Sequence, residues 1–357
     1  MIFLDRAKRK LEHLEYTKQT IGSNGHGLDD IRFVHQSLPN INLDSITIET
    51  VIGELSLSSP IIINAMTGGG GSRTLDINRQ LAEIADQCGL AMAVGSQMAA
   101  IHDPSQTETY RIVRKVNPKG VIFANIGSEA TVDQALQSID MIEADGLQIH
   151  LNIVQELVMP EGDRNFHGRL KNIEQIVKYA NVPVVIKEVG FGISREMAEK
   201  LMDVGVSIVD IGGYGGTNFS EVENIRREKK MEYFNAWGIP TAASIAEVKQ
   251  KYPLLDIVAS GGISNALDIA KSVALGANAV GMAGHFLKMV MDKGMEHVIE
   301  EILSVHEDLK IIMTALGTQS IETLKKAPVV IFGDTSHWLK ERGVDTTKYS
   351  KRIFQGY

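Results

Sequence analysis

Cysteine is almost absent: Cys88 is the only one in 357 residues. No intrachain disulfide can form, which fits a reducing compartment. Cys88 ends an amphipathic helical stretch and reads as buried packing rather than as a reactive thiol. Proline is scarce, at 9 residues, and no low-complexity tract occurs. Long hydrophobic runs are missing too. No apolar stretch approaches the roughly 20 residues of a membrane helix. The opening Met-Ile-Phe-Leu-Asp-Arg-Ala-Lys-Arg-Lys has no apolar signal core or small-residue cleavage site. The expectation is a cytoplasmic protein with no membrane partner. Net positive charge is lacking as well: the total is −8, with a sequence pI of about 5.7. That argues against a broad nucleic-acid surface and leaves room for a local basic site. Glycine, by contrast, is plentiful at 33 residues, which suits many tight turns in one fold.

What is present is a repeating unit. Short apolar runs at 61–66, 91–96, 121–126, 147–152, 184–189, 208–212, 257–260 and 279–283 recur along the chain. Helical periods at 75–87, 108–116, 132–144, 170–179, 195–203, 242–251 and 267–274 separate them. Runs apolar throughout suit strands covered on both faces, and strand–helix alternation implies parallel pairing. About eight such units predict a closed (β/α)8 TIM barrel of the α/β class. A doubly wound open sheet is the competing architecture. The barrel is favoured because polar or Gly-rich residues follow almost every run, and a barrel gathers them on one rim.

The chain reads as a single barrel domain, 1–357, with an N-terminal arm and cap (1–59), the barrel (60–320) and a C-terminal extension (321–357). Alternation around Ile46-Thr47-Ile48-Glu49 predicts a hairpin plugging the barrel bottom. The basic, then Gly-rich stretch 6–27 reads as a mobile arm, and the long segment 214–238 as a lid or binding loop.

Several rim segments carry chemistry. Ser260-Gly261-Gly262-Ile263 follows the seventh run and Gly281-Met282-Ala283-Gly284 the eighth. Either alone is an ordinary tight turn. Together, in those two units, they predict a phosphate cradle of backbone N–H groups. Lys187 ends an apolar strand, where burial without a partner is costly. Pairing with Glu188, a Schiff base, and contact with an anionic cofactor group are all open to it.

After the fourth run, strand alternation puts His150 and Asn152 on one side, with Gln155 and Glu156 just beyond. A carboxylate beside substrate phosphate is the usual way to hold Mg²⁺. His150 suits donation to phosphate or proton transfer. Arg9, Lys10 and His13 by themselves read as a solvated helix face. Met66-Thr67-Gly68-Gly69-Gly70 suits packing against a planar ring, or a plain loop.

The ordered set resembles the type 2 isopentenyl-diphosphate isomerases. It comprises Arg32-Phe33-Val34-His35, Asn64-Ala65-Met66-Thr67-Gly68-Gly69, Ala91-Met92-Ala93-Val94-Gly95-Ser96, Gln148-Ile149-His150-Leu151-Asn152 with Gln155-Glu156, Lys187-Glu188-Val189-Gly190 and Gly215-Gly216-Thr217-Asn218. The likeness runs from Arg9 to the 313–317 region.

The resemblance implies FMN over the rim, touched by Ala65, Met66, Thr67, Ser96, Asn125, Lys187, Gly212 and Thr217. Its phosphate would sit on Gly261, Gly262, Ile263, Ala283 and Gly284. The substrate diphosphate would meet Arg9, Lys10, Ser96, Gln97 and His150. Gln155 would lie by the isoprenoid carbons, with His150 and Asn152 completing the catalytic set, and Glu156 would bind Mg²⁺. It further implies conversion of isopentenyl to dimethylallyl diphosphate without net redox change, NADPH only as the reductant of FMN, and homotetramers or homo-octamers. Met98, Gly212 and Gly284-His285 depart from the family's pattern. The alternative is an FMN-dependent oxidoreductase of the hydroxy-acid oxidase or dehydrogenase type. It needs a cationic clamp and a His base after a late strand, for which Asn265 and His285 are the nearest candidates.

Overall fold

A computed structural model describes residues 25–67 and 70–353. Arg9, Lys10, His13, Gly68, Gly69 and most of the arm expected at 6–27 lie outside the described residues. Three strands precede the repeating unit: β1 (Ile31–Phe33), β2 (Thr50–Ile52) and β3 (Leu55–Leu57). The unit itself supplies β4 (Ile61–Ile63), β5 (Ala91–Ala93), β6 (Ile122–Gly127), β7 (Gly146–Leu151), β8 (Val184–Glu188), β9 (Ile208–Asp210), β10 (Asp256–Ser260) and β11 (Ala279–Met282). These eight pair in parallel in chain order, and β11 closes on β4, so the sheet is a barrel as expected and not an open sheet.

The seven expected helices lie at Ser72–Cys88, Glu108–Val116, Val132–Ile142, Arg169–Tyr179, Arg195–Asp203, Thr241–Lys251 and Ala266–Leu275. Local chemistry starts them where the sequence points. Thr131 and Gln134 form a reciprocal capping box, and Ser194 accepts from Met197 N–H. After β11 the helical cover is double, Gly284–Lys293 then Met295–Ala315.

Both faces of each barrel strand are buried. Outward residues such as Ile61, Ile63, Met92 and Ile122 pack under the helices. Inward residues form a second cluster of Ile62, Ala91, Ala93, Phe123, Val185, Ile208, Val258 and Ala279. Two positions further along five of these strands the inward residue turns polar: Asn64, Asn125, Lys187, Asp210 and Ser260, all buried. Period-two alternation therefore stacks a polar layer directly on an apolar one at the C-terminal rim.

The bottom is plugged by the antiparallel β2–β3 hairpin, whose Ile52 and Leu57 join the inward cluster. Burying a side chain such as Ile52 stabilises by roughly 1.5–3 kcal/mol. The hairpin sits a few residues beyond the expected alternation. Ile46 and Ile48 instead pack into the outer core, and Thr47 N–H donates to Gln319 O. A strand β12 (Val329–Ile331) pairs antiparallel with β1, tying the C-terminal extension to the N-terminal segment. The long segment 214–238 has structure of its own: helix Phe219–Ile225, capped by Asn218, and a single turn at Glu232–Phe234. Among the described residues no helix is long and apolar enough to cross a membrane. Half-buried Cys88 has its thiol pushed up to about 11 by desolvation, which disfavours the reactive thiolate.

Candidate active site

The polar layer is a connected network. Asp210, fully buried, accepts from Lys187 Nζ (2.9 Å), Asn64 Nδ2 (2.6 Å), Gly212 N–H (3.1 Å) and the Ser260 hydroxyl. Lys187 therefore pairs with Asp210, its register partner on the adjacent strand β9, not with its neighbour Glu188. Glu188 instead accepts three backbone N–H groups, from Val189, Gly190 and Phe191, at 2.6–3.0 Å. From Asn64 the network runs through Gln148 and Asn125 to His150, whose Nδ1 lies 2.8 Å from Asn125 Oδ1.

Above Lys187 and Asn64 opens a cavity of about 300 Å³, at the small end of ligand-pocket sizes. Ala65, Met66, Lys187, Gly212, Thr217, Gly261, Gly262, Ile263, Ala283 and Gly284 line it, so ten of the expected cofactor residues share one wall. Two loops meet there back to back. A Cβ on Gly216 would come 2.7 Å from Gly262 N. One on Gly261, which sits at φ +111, would come 2.7 Å from Thr241 Oγ1 and collide with Gly213 O. Gly212, at φ +49, faces the Glu188 carbonyl, where any side chain would collide; the departure from the family's pattern there belongs to this backbone. Gly281 leaves the space that Asn64 fills.

Helix Gly284–Lys293 begins at the cavity without a side-chain cap. Its open N–H end, the glycine turns and the Lys187 ammonium make a donor set that fits an anionic, phosphate-bearing cofactor. His285 adds no cation. Desolvation lowers the pKa of its ring, and Nε2 is buried without a partner among the described residues. Asn265 is occupied with capping the next helix through Asp268 N–H. Neither residue therefore supplies the cationic clamp that the oxidoreductase reading needs.

The cluster after β7 stands beside this cavity. Asn152 Nδ2 donates to Glu156 Oε1 at 2.9 Å, and Asp163 N–H to Glu156 Oε2 at 2.7 Å. Burial raises the Glu156 pKa, with Asp163 and Glu129 adding repulsion and its two donors opposing. Asn152 Oδ1 is buried without a partner among the described residues. Gln155 Nε2 donates to Glu223 Oε1 at 2.9 Å, reaching the helix inside the long 214–238 segment.

Some expected residues stand elsewhere. Gln97 is fully buried, with Oε1 accepting from Asn125 N–H and Nε2 donating to Ser138 O. Its side chain braces β6 against helix Val132–Ile142 and does not line the cavity. Thr67 Oγ1 donates to Asn78 at 2.6 Å. The Ser96 carbonyl takes the Tyr110 hydroxyl. Neither residue lines the cavity wall. Sequence reasoning does not single out Asp210 or Glu223, and meets Gln148 only within the motif that ends in Asn152. For Asp210 the available signal is a polar residue two positions beyond inward Ile208 in a doubly buried strand. For Glu223 there is none.

The family model described as FMN-dependent dehydrogenase matches residues 152–330. An isopentenyl-diphosphate delta-isomerase of Geobacillus sp. (strain WCH70) is 58% identical over 349 residues, covering 98% of this chain and 100% of that one. The protein of the same name from Bacillus licheniformis is 59% identical with the same coverage. The chain belongs to the isopentenyl-diphosphate delta-isomerase family. The match to FMN-dependent dehydrogenases places it with the family's FMN-dependent type 2 members.

Solved structures share the fold of this isomerase-family chain at much lower identity. A flavocytochrome b2 variant has a TM-score of 0.68 at 18% identity, covering 94% of this chain and 88% of that one. A mandelate oxidase variant with an FMN adduct has 0.66 at 15%, covering 89% and 95%. Isomerase-family membership thus goes with a barrel fold shared with these solved structures.

Proposed function

We propose that this chain converts isopentenyl diphosphate to dimethylallyl diphosphate, adding one proton at the terminal carbon and removing one from an inner carbon, with no net redox change. The observation that carries this reading is the adjacency of an anion-cradling cavity floored by Lys187 and a separate His150–Asn152–Gln155–Glu156 cluster. Near-full-length identity to proteins named for this reaction supports it. Reduced FMN, when bound, supplies proton-transfer and charge-stabilising chemistry at the isoprenoid carbons, with NADPH serving only to reduce it.

The chain's own residues divide the remaining tasks. Gly261, Gly262, Ile263, Ala283 and Gly284 bind the cofactor phosphate through backbone N–H groups. Lys187, held by Asp210 at the cavity floor, would supply the cation that the anionic cofactor meets. Ala65, Met66, Thr67, Ser96, Asn125, Gly212 and Thr217 complete the flavin's surroundings. His150, with Arg9, Lys10 and Ser96, binds the diphosphate.

Glu156 holds Mg²⁺ together with diphosphate oxygens, and Asn152 Oδ1 offers a second oxygen beside it. Among the described residues no group of three or more His, Cys, Asp or Glu is arranged for a metal. That donor set fits a cation that arrives with its substrate. Gln155, held by Glu223, stands by the isoprenoid carbons as part of the catalytic set. The reading extends to a cytoplasmic homo-oligomer, a tetramer or octamer.

The test is an anaerobic assay of purified protein with isopentenyl diphosphate, FMN, NADPH and Mg²⁺, scored for dimethylallyl diphosphate. The expected result is product that requires flavin and metal while far less NADPH is consumed than product formed. Bound, reducible FMN with no product would overturn the proposal in favour of an oxidoreductase.

A further inference from the structure

The polar layer beneath the cavity has a direction. Asp210 has four donors around its two oxygens: Lys187 Nζ, Asn64 Nδ2, Ser260 Oγ and Gly212 N–H. Four donors fill the roughly four lone-pair sites of a carboxylate and leave no place for a proton of its own. Asp210 is a pure acceptor. Asn64 must therefore turn its NH₂ toward it. An independent anchor agrees: Ala65 N–H, which only donates, lies 3.0 Å from Asn64 Oδ1.

The remaining orientations follow in sequence. Asn64 Oδ1 faces Gln148, so Gln148 presents Nε2, at 3.1 Å. Gln148 Oε1 then faces Asn125 Nδ2, at 3.5 Å, the longest link. Asn125 is left presenting Oδ1 to His150 Nδ1 at 2.8 Å. An amide oxygen cannot donate, so the hydrogen in this last bond belongs to His150.

We infer that Asp210 is a positioning residue for the diphosphate site, fixing neutral His150 in the tautomer protonated at Nδ1 through the chain Asn64–Gln148–Asn125. Every link donates in the same sense, from His150 toward the carboxylate. The same carboxylate holds the Lys187 ammonium, so one buried charge sets both the cofactor end and the substrate end of the rim. With Nδ1 committed to Asn125, that nitrogen is not available to the diphosphate. This last consequence rests on the diphosphate reading given above; the tautomer itself does not.

The test reads the tautomer without substrate. Full-length, FMN-loaded protein is prepared with ring-¹⁵N histidine, and the His150 signals are assigned by their loss in His150→Gln. At mildly alkaline pH the wild type is expected to show a neutral ring protonated at Nδ1. Gln148→Met cuts the chain and should give mixed tautomers. Adding Asn125→Asp to that variant supplies a local carboxylate acceptor and should restore Nδ1–H. A wild-type ring protonated at Nε2 would overturn the inference, whatever the variants do. So would an unchanged Nδ1–H signal in a folded, flavin-retaining Gln148→Met. A failed isomerase assay beside a wild-type Nδ1–H signal would reject the reaction and leave the tautomer standing.

Discussion

Gln155 Nε2 donates to Glu223 Oε1 at 2.9 Å, and Glu223, fully buried, also takes Arg226 Nη1 at 2.8 Å. The bond joins helix Ile153–Val158, after β7, to helix Phe219–Ile225, after β9, across the mouth of the site. It fixes the amide of Gln155 against a rigid partner, as its proposed place beside the reacting carbons requires. Gln155→Ala should lower turnover by about 10²–10⁴-fold, the usual span for a lost acid–base group. Retained flavin and little change in the apparent affinity for isopentenyl diphosphate should accompany that loss. Steady-state kinetics decide it: a loss smaller than about tenfold would take Gln155 out of the proton-transfer step.

Glu156 predicts a pH dependence for metal binding. Desolvation raises its pKa, so in the metal-free fold the carboxylate takes up a proton at a higher pH than an ordinary glutamate. A divalent cation binds only the deprotonated form. Affinity for Mn²⁺, used as a spectroscopic stand-in for Mg²⁺ in the presence of inorganic diphosphate, should therefore weaken as pH falls. The weakening should begin above the normal carboxylate range. Constant affinity down to that range would show that Glu156 does not carry the cation.

Gly261 predicts a packing limit. At φ +111, with Gly213 O and Thr241 Oγ1 against the space a Cβ would occupy, Gly261→Ala combines backbone strain with a steric clash. A destabilisation of about 1–3 kcal/mol is expected, along with loss of FMN on gel filtration, because the loop that would move is the proposed phosphate cradle. Thermal unfolding with and without FMN measures both effects. A variant that keeps wild-type stability and its flavin would rule out the tight loop-on-loop contact.

Arg342 predicts a stability effect far from the rim. It donates to Glu247, which is 1% exposed, at 2.7 Å and to exposed Glu196. Trp338 Nε1 also reaches Glu247, at 3.3 Å. The pairing fastens the end of helix Gly333–Glu341 to helix Thr241–Lys251. Arg342→Ala leaves a buried carboxylate without its cation. The expected cost is about 2–3 kcal/mol, below the ~3–5 kcal/mol for a fully buried pair because Arg342 is itself a third exposed. Urea denaturation reads it, and a change within about 0.5 kcal/mol would mean that water replaces the guanidinium.

Much of this molecule is written locally, and what is local was legible in the sequence. Doubly buried strands must be apolar on both faces, so their runs stand out between helical periods. Helix starts at Val132 and Arg195 depend on a side chain reaching its own next turn, so Thr131 and Ser194 announce them. The glycine turns after β10 and β11 are visible because only glycine takes such backbones beside a second loop. Eight units in succession, almost all followed by polar or Gly-rich residues, then favour closure, which gathers those residues on one rim.

What only the tertiary structure decided is which distant residue completes each buried polar group. Lys187 needed a partner, and adjacency suggested Glu188; the barrel's curvature supplies Asp210, one strand over, while local N–H groups take Glu188. Gln97 read as a rim residue, yet it lies beyond the end of β5, where alternation no longer directs it, and its side chain braces β6 from behind. Gln155 finds Glu223 sixty-eight positions away on a helix hidden in a long loop. Sequence fixes the period of each strand and the turns between them, because those are short-range sterics and hydrogen bonds. Which polar groups meet inside the barrel depends on register and closure, and these exist only once all eight strands have paired.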